Sequence, residues 1–206
     1  MLVACSRSIS VASQPVTRYT PEQYLEMERA AEFKSEYVGG EIFMMAGASL
    51  RHNRIVLNIG AALSESLATG RCEPFVSDMR VNVGAAYFYP DVVVVCGEIE
   101  LVGNIQDTLL NPTVIFEVLS PSTEGFDRGE KFARYAEIPS LQDYILVSQD
   151  HCRIEHYTRH ADDKWLFAPY AKPDATADLP SIGCIVRAED VYRKVEWESE
   201  EGASNR

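Results

Sequence analysis

The sequence lacks several features that would have fixed its class at once. It has no apolar run long enough to span a membrane. Its start, MLVACSRSIS, carries neither a basic n-region nor a proper apolar h-region, so no signal peptide is read there. It has no C-x-x-C pair. The five cysteines, Cys5, Cys72, Cys96, Cys152 and Cys184, are scattered, and their odd number argues against a complete disulfide framework. A reducing cytoplasm is the expected setting. No G-x-S-x-G surrounds Ser120 or Ser122, which excludes a nucleophile elbow. Positive charge is also scarce: Lys and Arg number 19 against 31 Asp and Glu, for a formal net charge of -12. That counts against a generic nucleic-acid coat, because phosphate binding is driven mainly by Lys and Arg. It leaves room for a metal site, since ligating carboxylates count as bare negative charge when the ion is left out.

What is present reads as one α/β domain. The chain has 206 residues and no internal repeat or linker. Residues 1–18 show no period and are expected to form a flexible arm. The domain is placed at 19–194, and 195–206 form an acidic tail expected to fray. Thr20-Pro21-Glu22-Gln23 has the form of a helix start, with Thr as N-cap, Pro at the first helical position and Gln closing a capping box. Gly39-Gly40 lies between two short apolar stretches and reads as a hairpin turn. Val56, Ile59, Leu63 and Leu67 repeat at three- and four-residue spacing, so a helix is expected over 51–69, ended by Gly70. Strands follow near 73–83, 87–95, 112–119, 142–148, 152–159 and 164–170. A helix at about 127–137, stopped by Pro139, interrupts them.

Two acids stand where acids are costly. Asp91 heads four valines in YPDVVVV, and Glu117 sits inside the apolar run TVIFEVLS. Strand alternation puts Tyr87, Tyr89, Asp91 and Val93 on one face, and Thr113, Ile115, Glu117 and Leu119 on one face. A buried ionised carboxylate needs a partner. Each acid alone reads as a strand-entry or arginine-paired residue. Together they suggest convergence, and converging carboxylates raise each other's pKa. A hard divalent cation, Mg²⁺ or Mn²⁺, removes that penalty, because Mg²⁺ takes one or two carboxylates and keeps several waters.

Pro90-Asp91 followed by Glu117 in a hydrophobic strand resembles the PD-(D/E)xK nuclease superfamily. SEYVGGEIFMM, RHNRIV, YPDVVVV, IFEVLSPST, FDRGEKFARY and LQDYILV also follow the order seen in a bacterial family of restriction endonucleases, the Uma-two family. The resemblance spans roughly Tyr19 to Arg159. It implies a restriction-endonuclease-like core, a central mixed sheet flanked by helices, often in a homodimer. It implies a Mg²⁺-dependent DNA endonuclease with no small-molecule cofactor and no membrane partner. Asp91, Glu117 and the carbonyl of Val118 would be metal ligands. Leu119 departs from the pattern, for the motif's lysine belongs there. That lysine orients water and neutralises charge in the transition state, which leucine cannot do. Lys131, near the start of the helix after the Glu117 strand, is the candidate replacement. Its bland reading is a solvated helix residue paired with Asp127 at i−4.

The same resemblance lifts two further residues. Glu36 matches an N-terminal acid of the family, against the plain reading of an exposed hairpin acid; Glu41 is ordinary turn chemistry. His52 opens the long helix, where a histidine is usually a packing residue, and the family places a phosphate or active-site contact there. His151, Cys152, His156 and His160 have a loose zinc-like spacing, but nothing forces them together. Tyr87, Phe88 and Tyr89 are core or sheet-face residues. Leu119 and the acidic composition favour a rival, a catalytically weakened DNA-binding or interaction protein on the same fold. A glycosidase-like hydrolase using the acid pair without metal is a second rival. The two tryptophans, Trp165 and Trp197, are few for a sugar platform.

Overall fold

The structure is a computed structural model, and it describes residues 17–197. Most of the expected arm, and the tail beyond Trp197, lie outside the described residues. The capping box forms as the sequence predicts: the Gln23 amide donates to Thr20 Oγ1 at 3.3 Å and the Thr20 amide donates to Gln23 Oε1 at 2.9 Å. It starts α1 (Pro21–Ala30). Strands β1 (Ser35–Val38) and β2 (Glu41–Met44) then pair as a hairpin. Its turn needs glycine, because Gly39 and Gly40 have φ of +55° and +101°. Helix α2 (Leu50–Ser66) is capped by Ser49, whose hydroxyl accepts from the His52 amide at 3.1 Å.

The next segment differs from the expectation of two long strands. It forms β3 (Cys72–Val76), β4 (Arg80–Val83), β5 (Ala86–Phe88) and β6 (Val92–Cys96). Ser77, at φ +59°, turns the chain between β3 and β4. Tyr89-Pro90-Asp91 breaks the other run, as proline has no N–H to donate to a ladder. The pieces go to different sheets. β7 (Thr108–Leu109), β8 (Val114–Leu119), α3 (Glu124–Phe126), a π-turn (Asp127–Lys131) and α4 (Phe132–Tyr135) follow. The last part holds β9 (Asp143–Ser148), β10 (Ile154–Arg159), β11 (Trp165–Tyr170), β12 (Thr176–Leu179), β13 (Cys184–Arg187) and α5 (Ala188–Val191). The sequence reading placed nothing over 176–191, where the short alternation of β12 and β13 buries only Ala177, Leu179, Cys184 and Val186.

The main sheet has the order β11-β10-β9-β8-β6-β3, and only its β8–β9 pair is parallel. A second sheet, β2-β1-β5-β4-β7, lies beside it. Strand β8 is buried along its whole length. One of its faces gives Val114, Phe116 and Val118 to a core with Ile55, Ile59 and Leu63 of α2 and with the β12–β13 hairpin. The other gives Ile115 and Leu119 to a core with Phe88, Tyr135 and Tyr144. A smaller tyrosine cluster, Tyr24, Tyr37 and Tyr87, seats α1 on the second sheet. Tyr87, Phe88 and Tyr89 are all buried. At the chain ends, the Tyr19 amide donates to Gly40 O, and the Trp197 indole donates to Gln149 O.

Cys72 and Cys96 face each other across β3 and β6 and are disulfide-bonded, while Cys152 and Cys184 are free. The odd cysteine count argued against a complete disulfide framework; the strand register brings this one pair together and leaves Cys152 and Cys184 unbridged. No helix among the described residues is long and apolar enough to cross a membrane.

Candidate active site

The break at Pro90 and the register of β6 against β8 build the site. Val92 pairs with Phe116 in the antiparallel ladder. One step further along, Asp91 arrives beside Glu117, and the Val118 amide donates to Asp91 Oδ2 at 2.7 Å. The two acids are therefore neighbours, the convergence that two costly acids in apolar runs suggested, although the alternation read across 87–93 is broken at Pro90. Asp91 Oδ1 lies 2.8 Å from His52 Nε2, so the first turn of α2 reaches the same point. Glu36 comes from β1 and accepts from the Tyr89 amide at 3.1 Å. It is mostly buried, not an exposed hairpin acid, whereas Glu41 faces Arg18 at the surface.

Lys131 fills the centre. Its Nζ lies 2.9 Å from Glu117 Oε1, 3.0 Å from Glu36 Oε1 and 3.6 Å from Asp127 Oδ1. Only 4% of it is exposed, so it is not the solvated helix residue of the bland reading. Leu119 points into the core with Ile115 and Tyr144. The position where the superfamily carries lysine is thus a packing position here, and the ammonium enters from the following helix.

The electrostatics are strongly coupled. Burial pushes Glu117 well above the usual carboxylate range; Lys131 pulls it down, and Asp127, Asp91 and Glu36 push it up. Burial likewise raises Asp127, against the pull of Lys131 and of a hydrogen bond from Thr123. Burial alone would lower Lys131, but Glu117, Glu36 and Asp127 outweigh it and hold the ammonium well above its ordinary range. Lys131 is therefore a fixed positive charge. Tyr135, also buried, donates its hydroxyl to Glu117 Oε1 at 3.2 Å.

The donor set suits a hard divalent cation. Glu36, Glu117 and Asp127 share one buried ammonium, and Asp91, paired with His52, lies beside Glu117, so the cluster holds a surplus of acids whose charge a cation would relieve. Asp91 and Glu117, with the Val118 carbonyl, are the groups that would hold it. Among the described residues, however, no three His, Cys, Asp or Glu side chains already surround a common point. Lys131 and His52 occupy the acids instead.

All of the residues singled out from sequence, Glu36, His52, Asp91, Glu117, Val118 and Lys131, meet in this one place. Sequence reasoning gave Asp127 only as a surface partner of Lys131, and it passed over Tyr135. The spacing of four between Asp127, Lys131 and Tyr135 was the available signal. Of the histidine group, His156 is buried against Asp143 at 2.6 Å, on the far side of β9 from this cluster's strand.

Opposed Asp and Glu on neighbouring strands of a mixed sheet, with helices on both faces, define a restriction-endonuclease-like protein. Residues 21–186 match the Uma2 family, described as "Putative restriction endonuclease", and the chain belongs to that family. It is 44% identical over 149 residues to the uncharacterized protein sll1609 of Synechocystis sp., covering 71% of this chain and 84% of that one. It is 36% identical over 183 residues to the uncharacterized protein slr1290 of the same organism, covering 88% and 95%. The crystal structure of "a putative nuclease belonging to DUF820 from Anabaena variabilis" superposes with a TM-score of 0.71 at 20% identity, covering 84% of this chain and 97% of that chain. The fold is shared with that structure.

Proposed function

We propose that this protein is a Mg²⁺- or Mn²⁺-dependent DNA endonuclease that hydrolyses phosphodiester bonds with water. The observation that carries the reading is Lys131. It stands between Glu36 and Glu117, beside the Asp91 strand, so the one charge missing from the strand motif at Leu119 is supplied from another element. When bound, the cation would polarise the phosphate and lower the pKa of the attacking water. The protein's own groups do the rest. Asp91, held from two sides by His52 and the Val118 amide, keeps one orientation. The Lys131 ammonium neutralises charge that develops on the phosphate in a water-poor site. Lys34, which donates to Ser77 O close to the Asp91 turn and pairs with Asp78, would meet a flanking phosphate. We further propose a homodimer, so that two such sites meet the two strands of a duplex; light scattering of the purified protein tests it.

The test of activity is supercoiled plasmid with Mg²⁺ or Mn²⁺, with and without EDTA, for the wild type and Glu117→Gln. Nicking or linearisation that EDTA and Glu117→Gln both abolish is expected. Intact plasmid at high enzyme with both metals, while DNA binding persists, would establish the rival reading of a weakened binding protein. That rival is favoured by Leu119 and the net charge of -12. Hydrolysis that survives EDTA would point to metal-free use of the acid pair.

A further inference from the structure

A divalent cation on Glu117 would compete with Lys131 for the charge of that carboxylate. Nζ lies 2.9 Å from Glu117 Oε1, so a cation bound by the same side chain would repel the ammonium at short range and weaken its hold there. Lys131 is kept in the site more firmly if it also has an acid that the cation does not use. Glu36 is one partner, but it reaches in from a separate strand. Asp127 is different, because it lies on the same stretch of helix as the lysine.

Its surroundings are unusually rigid. The Asp127 amide donates to Thr123 O at 2.9 Å, and the buried Tyr144 hydroxyl donates to Asp127 O at 2.9 Å. Thr123 Oγ1 in turn lies 2.9 Å from Ser120 Oγ, at the end of β8. The segment SPST, which follows Glu117, is thus a brace from the Glu117 strand to Asp127. The π-turn completes the placement. Four residues overshoot one α-helical turn by about 40°, so Asp127, Lys131 and Tyr135 would drift around a regular helix. A wider turn reduces that drift, and π-turns inside helices cluster at functional sites. Here it leaves Asp127, Lys131 and Tyr135 facing the same carboxylates.

We propose that Asp127 is a positioning residue, which retains Lys131 in the site when a divalent cation takes Glu117. The inference rests on the metal-dependent reading above. It gives Lys131 three anchors in the metal-free protein, Glu117, Glu36 and Asp127, of which Asp127 and Glu36 would remain in the loaded one.

The test uses the full chain as wild type, Asp127→Asn and Asp127→Glu. Crystals soaked in Mn²⁺ are expected to show Nζ of Lys131 in contact with Asp127 while Glu117 turns to the metal. In Asp127→Asn, Mn²⁺ affinity by calorimetry should change less than about threefold, while kcat falls about 10- to 100-fold with KM little changed, the size of loss that a misplacement of about 1 Å produces. Asp127→Glu should recover much of that loss, which a merely structural role would not require. Three results would overturn the inference: wild-type kcat in Asp127→Asn, Mn²⁺ affinity lowered as much as by Glu117→Gln, or Nζ leaving Asp127 in the soaked crystal. A wild type that binds Mn²⁺ but cleaves nothing fails the nuclease reading alone, and the soaked geometry still decides the role of Asp127. A wild type that binds no Mn²⁺ removes both.

Discussion

Replacing Lys131 with methionine is the most revealing single perturbation, because it removes the charge and keeps most of the side-chain volume. Lys131, Glu117 and Asp127 are each less than 5% exposed, and Glu36 is the third acid on the same ammonium. Removing one partner of a buried ion pair costs about 3–5 kcal/mol, since the other charge is left without compensation. Burial already pushes Glu117 towards its protonated form, so it can neutralise by taking up a proton. That places the cost at the lower end, about 3 kcal/mol, or a fall in Tm of about 6–12 °C for a chain of this size. The variant should then respond to metal more than the wild type does, because no ammonium competes for Glu117. Mn²⁺ at about a hundred times its dissociation constant adds about 2.7 kcal/mol of stability, enough to return most of the loss. Cleavage should stay absent even with Mn²⁺ bound. Thermal melts with EDTA and with graded Mn²⁺, alongside plasmid cleavage, measure all of this. A metal-free variant that melts within about 2 °C of the wild type would refute the idea of a shared buried counter-ion. Equal Mn²⁺ stabilisation of the two proteins would refute the competition, and wild-type cleavage would remove Lys131 from the chemistry.

Asp91→Asn and Glu117→Gln should each lower metal-dependent cleavage by about 10²-fold or more while circular dichroism shows the fold retained; Glu117→Gln should also melt lower, since it takes one of three acids from the buried Lys131. Asp107 is held below its usual range: burial opposes this, but Arg29, Thr108 and Arg80 outweigh it. Its folded pKa is depressed, so its stabilisation is present above the unfolded value and is lost as pH falls through the folded one. Asp107→Asn should flatten the fall of Tm as pH drops below the ordinary carboxylate range. Gly40→Ala should cost about 1–2 kcal/mol in chemical denaturation, because φ is +101° and a Cβ would sit 3.3 Å from Arg18 Cβ.

The sequence by itself determined the parts that depend on local chemistry. The capping box at Thr20, the Gly-Gly hairpin, the long amphipathic helix and the β8 strand all follow from near neighbours and periodicity. So does the suspicion that falls on Asp91 and Glu117, because an acid in an apolar strand is costly wherever the strand lies. Tertiary structure decided the rest. Pro90 splits one apparent strand between two sheets, a division that alternation within the run cannot register. The ladder register alone sets Asp91 beside Glu117 and Cys72 against Cys96. The β12–β13 hairpin was missed because its short strands each bury only alternate residues and carry little signal by themselves. Glu36 becomes a site residue only when β1 brings it to Lys131. Asp127 looks like an ordinary partner at i−4 until the π-turn, Thr123 and Tyr144 fix it in the buried cluster. Leu119 is the clearest case. In sequence it is a missing lysine; in the fold it is a core residue, and the missing charge enters the same space from twelve positions later in the chain.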